Sequence, residues 1–231
     1  LERGDALDFL GGIKVRSIPG LSRSTVDTHT FVINLDVPAS AAAQNQALVF
    51  ENNGELTLIA QKGITPIVNG LTAFRFEQFY TTSTGAVIFR ALLNDAPAES
   101  DRVICKWTAA GGIEVLIREG MPAPGTDGLS FGVLQRMSVS PNGNMVVATT
   151  IGPKKYGIFR NTGSGFFPII KTGDLVRHNG VNRPALAVSI AYDSFGADGG
   201  GGGLSEAIND NGEVGLSISL GNSIHLNRTY R

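Results

Sequence analysis

The sequence predicts an all-β fold, a propeller of about four blades with four antiparallel strands each, and three observations predict it. One ending recurs four times: Leu1-Glu2-Arg3-Gly4, Leu58-Ile59-Ala60-Gln61-Lys62-Gly63, Leu116-Ile117-Arg118-Glu119-Gly120 and Ile169-Ile170-Lys171-Thr172-Gly173. Successive glycines stand 59, 57 and 53 residues apart, and 58 residues follow the last. That spacing marks one supersecondary unit copied along the chain, because a lone unit cannot bury its apolar face. Between the glycines lie runs of 4 to 8 residues rich in branched and aromatic side chains, too short for helices. Finally, 30 glycines and only 17% charged residues in 231 fit many short strands joined by tight turns.

Each unit divides into the same four segments. The first strands are predicted at residues 13–18, 72–79, 130–139 and 185–191, and the second at 30–35, 86–92, 145–150 and 214–220. Alternation carries these assignments: in Val87-Ile88-Phe89-Arg90 and in Val214-Gly215-Leu216-Ser217-Ile218-Ser219-Leu220 one parity is apolar, so at least one face is buried. The third strands fall at 47–50, 102–107, 156–160 and 223–227, and the fourth at 55–60, 113–117 and 166–170. Asn52-Asn53-Gly54, Ala110-Gly111-Gly112 and Thr162-Gly163-Ser164-Gly165 join third to fourth and supply the positive φ angles of tight hairpins.

A single repeat domain over 1–231 follows, with repeats at about 5–63, 64–120, 121–173 and 174–231 plus 1–4. The chain starts at the end of a fourth strand and stops after a third, so residues 1–4 are expected to complete the last blade and close the ring. A four-bladed monomer is the simplest solution; a dimer sharing eight blades and a segment of a longer array stay open. The chain begins with Leu1, as expected of a processed form or a piece of a longer protein, and any targeting signal is out of view.

A net charge of -1 gives no bulk attraction to nucleic acid or anionic membrane. The adjacent basic pair Lys154-Lys155 reads as a solvated turn. No run of 18 apolar residues is present to span a bilayer. The one cysteine, Cys105, lies in the apolar run Val103-Ile104-Cys105-Lys106-Trp107 and reads as a buried structural thiol, with no internal disulfide.

The turns into the second strands read Ile208-Asn209-Asp210-Asn211-Gly212-Glu213-Val214 and Val139-Ser140-Pro141-Asn142-Gly143-Asn144-Met145-Val146. Looser versions are Thr82-Ser83-Thr84-Gly85-Ala86-Val87-Ile88-Phe89 and Val26-Asp27-Thr28-His29-Thr30-Phe31. Together with Arg118-Glu119-Gly120-Met121-Pro122-Ala123-Pro124-Gly125, they resemble the NxxGxxxF-type tandem repeats of bacterial exported and surface-anchored proteins, also called choice-of-anchor repeat proteins. The resemblance covers essentially the whole chain. It implies a β-propeller, exported or attached to the bacterial cell surface, with no catalytic residues to transfer. His29 stands where the pattern has glycine and Thr82 where it has asparagine.

Candidate chemistry is sparse. Asp210-Asn211-Gly212-Glu213 fails the spacing of a calcium loop and reads as a turn whose side chains bond their own backbone. The three histidines, His29, His178 and His225, include no pair at metal-ligand spacing, so neither a metal nor a cofactor is expected. No nucleophile elbow, Walker loop, dinucleotide fingerprint or metalloprotease motif occurs. In a propeller the loops entering the first strands converge at one mouth of the channel. Asp127, Asp174, Arg177 and His178 are the candidate ligand contacts there, beside Asp5 and Asp8. The strongest irregularity is residues 192–205: 39 residues separate Gly173 from Gly212, against 23 from Gly120 to Gly143. Inserted stretches in repeat arrays map to loops on one face, which makes Tyr192, Asp193 and Asp198 candidates for contact with a partner.

The function these features support first is a non-enzymatic exported propeller presenting loops for protein or glycan binding. A polysaccharide hydrolase or lyase using acids at the channel mouth is the rival, since such carboxylates come from distant blades and leave no local motif. A purely structural array segment is the third reading.

Overall fold

Strands form where the apolar runs alternate, and every sheet pairing joins strands that are neighbours in sequence. The structure, a computed structural model, describes residues 1–24, 27–152, 155–190, 207–221 and 224–231. Leu1–Arg118 form one compact unit, and the described residues from Glu119 onward form another.

The first unit holds two five-stranded antiparallel meanders. One comprises β1 (Ala6–Leu7), β2 (Ile13–Arg23), β3 (Thr28–Leu35), β4 (Gln46–Asn52) and β5 (Glu55–Gln61). The other comprises β6 (Pro66–Val68), β7 (Leu71–Thr81), β8 (Val87–Leu93), β9 (Arg102–Thr108) and β10 (Gly112–Arg118). Their facing sides share one core, in which Val32, Leu48 and Phe50 of the first sheet pack with Phe76, Phe79, Phe89 and Trp107 of the second. The rings of Phe50 and Trp107 lie 5.2 Å apart. Each fully buried side chain of this size contributes about 1.5–3 kcal/mol, so this seam dominates the unit's stability.

The second unit begins with a four-stranded meander, β11 (Phe131–Val139), β12 (Met145–Ile151), β13 (Tyr156–Asn161) and β14 (Phe166–Lys171). A two-stranded hairpin follows, β15 (Leu175–His178) and β16 (Val181–Pro184). A three-stranded sheet of β17 (Ala187–Ile190), β18 (Val214–Ser219) and β19 (His225–Tyr230) ends it. Val146, Ala148 and Ile158 pack against Val188, Ile190, Leu216 and Ile218 between the two larger sheets.

The glycines that end the recurring pattern all do the same thing. Gly4, Gly63, Gly120 and Gly173 donate their N–H groups to the carbonyls of Val15, Ala73, Phe131 and Ala185, at 2.8, 3.0, 2.8 and 2.8 Å. All four have positive φ, between 70 and 98°. A residue with a Cβ is strained there, and at Gly63 the added carbon would also lie 2.8 Å from the Ala43 carbonyl oxygen. The paired apolar residues before these glycines also acquire a reason. In β5, β10 and β14 the register with the preceding strand skips one residue, Ile59, Leu116 or Ile169, each four before its glycine. A β-bulge at that point lets two consecutive apolar side chains stay against the sheet's core, where strict alternation would expose one.

The turns into the second strands share a second device. Ser24, Thr82, Ser140 and Asn209 donate their N–H groups to the carbonyls of Thr28, Ala86, Asn144 and Glu213, at 3.1, 2.8, 2.8 and 3.1 Å. Thr82 thus stands in for asparagine, its hydroxyl accepting from the Ala86 N–H at 3.0 Å as the Asn209 carboxamide accepts from Glu213 at 2.9 Å. By this register Asp27, and not His29, occupies the glycine position of the first turn. His29 lies inside β3, where its Nδ1 meets Glu51 Oε2 at 2.8 Å.

Closure differs from expectation. Residues 1–4 belong to no strand, and Gly4 is bonded to Val15 within the first sheet, while the last sheet has the order β17-β18-β19. The expected completion of the last blade by residues 1–4 is therefore replaced by a local turn. No helix among the described residues is long and apolar enough to cross a membrane.

Candidate functional site

The first strands β7 and β11 each carry a bulge at the residue eight before the turn glycine, Glu77 before Gly85 and Gln135 before Gly143. Five residues after those glycines stand Arg90 and Ala148, and the third strands β9 and β13 open on Arg102 and Tyr156. The same three positions thus hold Glu77, Arg90 and Arg102 in one meander and Gln135, Ala148 and Tyr156 in the next. Their chemistry is opposite.

In the first unit these positions make an ion network. Glu77 Oε1 meets Arg75 Nη2 at 2.7 Å, and Oε2 meets Arg90 Nε at 2.8 Å and Arg102 Nε at 3.3 Å. The Glu77 side chain is only 8% exposed, so burial alone would push its carboxyl up. The hydrogen bond from Arg75 and the charges of Arg90 and Arg102 outweigh that effect and hold it below the usual carboxylate value. Burial lowers the Arg90 guanidinium, and the Glu77 charge works against that shift.

In the second unit they open a cleft of about 450 Å³ between the third meander and the last sheet. Ala148 puts little side-chain bulk on its floor, with Gly157 and Ile158 beside it. Tyr156, 39% exposed, stands at the margin. Its backbone is fixed from both directions: the Tyr156 N–H donates to Thr172 Oγ1 at 3.1 Å, and the Thr172 N–H donates to the Tyr156 carbonyl at 2.9 Å. Gly157 cannot be larger, since a Cβ there would lie 2.7 Å from the Phe159 ring. Gln135 and Arg136 also line it, and the last sheet contributes Val188, Ser189, Ile190 and Ser217. Ser189 and Ser217 are register partners that alternate with Val188, Ile190, Leu216 and Ile218, so their side chains lie on the sheet face opposite the one packed at the seam.

In the first unit β7 runs eleven residues, and the Gln46 side chain, at the position of Tyr156, reaches across to accept from the Phe76 N–H at 3.2 Å. The Thr81 N–H, at the far end of β7, donates to Ser22 Oγ at 2.9 Å. The described residues of β17 are Ala187–Ile190. The chain next makes a described bond at Ala207, whose N–H donates to Ser138 Oγ at 3.1 Å. Closer to the turns the seam is sealed: the Asn142 N–H donates to Asp210 Oδ1 at 2.9 Å, its side-chain amide to the Asp210 carbonyl at 2.8 Å, and Arg160 Nη1 to the Gly212 carbonyl at 2.8 Å. Asp210 is therefore a seam residue.

The candidate residues read from sequence are placed elsewhere. Asp127 is exposed in the loop before β11, at φ 56°. Asp174 accepts from the Lys171 N–H at 2.7 Å, as Asp5 accepts from the Glu2 N–H at 2.6 Å, so both acids serve the glycine turns. Arg177 is exposed on β15, and its carbonyl accepts from Arg228 Nη2 at 2.7 Å. His178 is half-buried at the end of that strand, opposite Val181. None of Asp5, Asp127, Asp174, Arg177 and His178 lines the cleft. Tyr192, Asp193 and Asp198 lie outside the described residues, as does Lys154. Sequence reasoning missed Tyr156, Gln135 and Ala148; the available signal was the exchange of Arg90 and Arg102 for Ala148 and Tyr156 between aligned units. Among the described residues no group of three or more His, Cys, Asp or Glu is placed to hold a metal ion.

Comparison with known proteins yields one assignment. Residues 27–223 match the family of unknown function DUF7453, and the chain belongs to that family. No curated protein matches it.

Proposed function

We propose, from the side chains alone since the family is one of unknown function, that the chain is a non-enzymatic binding scaffold that seats its ligand in the cleft of the second unit. The observation that carries this reading is the contrast between equivalent positions, filled by Glu77, Arg90 and Arg102 in one meander and opened by Gln135, Ala148 and Tyr156 in the next. Volume and lining also support it, because ligand sites are concave, largely preformed and mix apolar surface with a few directed polar groups. The hydrolase reading draws no support from the acids named for it: Asp174 is engaged in a turn and Asp127 lies outside the cleft lining.

The test uses substitution at Ala148. Ala148→Arg restores the side chain found at the equivalent position, Arg90, and fills the cleft. Panels of soluble glycans and peptides are screened by calorimetry against the unaltered protein and this variant. A ligand bound by the first and lost by the second, and lost also by Tyr156→Ala, whose ring is 39% exposed and can be removed without disturbing the core, is the expected result. Equal binding by both places the ligand elsewhere and overturns the proposal.

The ring of four blades and an exported, cell-surface setting belong to the same proposal. The recurring glycine and turn bonds support the former, and the sequence resemblance the latter. Cell fractionation that recovers the protein only in the cytosol sinks the surface setting.

A further inference from the structure

Beyond the cleft, we infer that the hairpin β15–β16 of the second unit is a contact face for an anionic lipid surface. A hairpin with one buried face ordinarily keeps polar side chains on the other, since only the inner face gains from leaving water. Here Val176 and Ala185 are buried in the unit's core, while the opposite face carries Leu175, Arg177, Asn182 and Pro184, all exposed. Leu186, two residues past Pro184 and beyond the buried Ala185, extends that face. Leu175, Leu186 and, beside the turn, Val181 are 69, 55 and 52% exposed, the three highest values for large hydrophobic side chains among the described residues. Apolar surface gathered in water at one place marks a contact site. The first unit repeats the arrangement where its glycine turn leads towards β7: Ile64 and Phe74 are exposed, and the Lys62 ammonium lies 4.9 Å from the centre of the Phe74 ring.

Charge and size select the partner. The one charged side chain on the exposed face is that of Arg177, and Arg228 brings a second guanidinium to the hairpin by donating to the Arg177 carbonyl at 2.7 Å. The acid at the hairpin's base, Asp174, accepts from the Lys171 N–H and lies 3.7 Å from the Lys171 ammonium, which offsets its charge. Guanidinium groups beside exposed leucines fit phosphate headgroups at the edge of hydrocarbon. The net charge of -1 over the whole chain does not oppose this, because screening leaves only charges within about 10 Å of a surface to act on it. A stable protein interface takes about 20–30 residues a side, more than this short hairpin offers. A lipid surface needs no matching shape.

The test is sedimentation of the full chain with vesicles of phosphatidylcholine and phosphatidylglycerol, two to one, and with vesicles of phosphatidylcholine alone. The anionic vesicles should bind more protein, and molar salt should remove most of the difference. Leu175→Ser combined with Leu186→Ser should weaken binding to the anionic vesicles about tenfold or more, and Arg177→Gln about fivefold. Both variants should melt within about 2 °C of the unaltered protein, because the replaced side chains are exposed. No binding to the anionic vesicles, equal binding to both vesicle types, or binding indifferent to either variant overturns the inference. A solution dimer that the leucine substitutions disperse overturns it too, since it gives the face to a second copy of the chain. None of these outcomes bears on the cleft, which Ala148→Arg tests separately.

Discussion

Replacing Glu77 with glutamine is the sharpest test of how the first unit is held together. The change keeps volume and removes the charge that three guanidinium groups share. Arg75, 54% exposed, returns to water and loses little, in the range of about 0–1 kcal/mol for a surface pair. Arg90 is the costly partner: only 12% exposed, it loses a carboxylate oxygen 2.8 Å from its Nε. Arg102 keeps Asp101 at 3.6 Å, which limits its share. Breaking a buried pair costs about 3–5 kcal/mol, and with two of the three arginines partly compensated the lower end, about 3 kcal/mol, is expected. Urea unfolding followed by the fluorescence of Trp107, which is buried in the same core, reads the loss directly. With a slope of about 2–3 kcal/mol per molar, the midpoint falls by roughly 1 M at pH 7.

The pH dependence gives an independent check on the same residue. The folded carboxyl titrates below its unfolded value of about 4.3, so its contribution is complete above that pH and is lost as pH falls through the folded value. The gap between unaltered protein and Glu77→Gln should therefore narrow below about pH 4. A midpoint change smaller than about 0.2 M at pH 7, or a gap of constant size down to pH 3, refutes the assignment of Glu77 as the ionised hub of the network.

Three further outcomes follow from particular side chains. Burial pushes the Cys105 thiol up to about 12, so it should resist a thiol-specific disulfide reagent at pH 8 in the folded protein and react promptly in denaturant. Gly63→Ala places a Cβ at φ 70° and 2.8 Å from the Ala43 carbonyl oxygen; a loss of about 3 kcal/mol or more in thermal or urea unfolding is expected, against about 1–2 for Gly54→Ala, which is strained by its φ of 85° alone with nothing within 4 Å. Asp174→Ala removes the acceptor of the Lys171 N–H and should lower stability by about 1 kcal/mol while leaving ligand binding unchanged, whereas a loss of binding at unchanged melting temperature would restore Asp174 to a ligand site.

Much of the strand plan was legible because its signals are local. The third strand at 102–107 appears as Arg102–Thr108 and the fourth at 166–170 as Phe166–Lys171, each set by apolar periodicity and a glycine-rich hairpin. The short pairs β1–β2, β6–β7 and β15–β16 were not, since two to four paired residues carry no period to read. His29 misled because its turn lacks glycine, and only the Ser24 to Thr28 hydrogen bond fixes the register. The cleft was hidden for a different reason. It is made by what is small, Ala148 where the equivalent position holds Arg90, and absence of bulk has no motif. Asp174 shows the converse, a polar residue in a loop whose carboxylate is spent on the backbone before it.

The four glycine bonds also govern how the chain finds its fold. Each ties residues only ten to twelve apart in sequence, and each sheet adds strands in the order in which they are synthesised. Closing loops that short costs little entropy, so a meander can assemble without waiting for distant partners. A β-protein of this length would otherwise be expected to fold slowly; here the rate should be set by the docking of finished sheets.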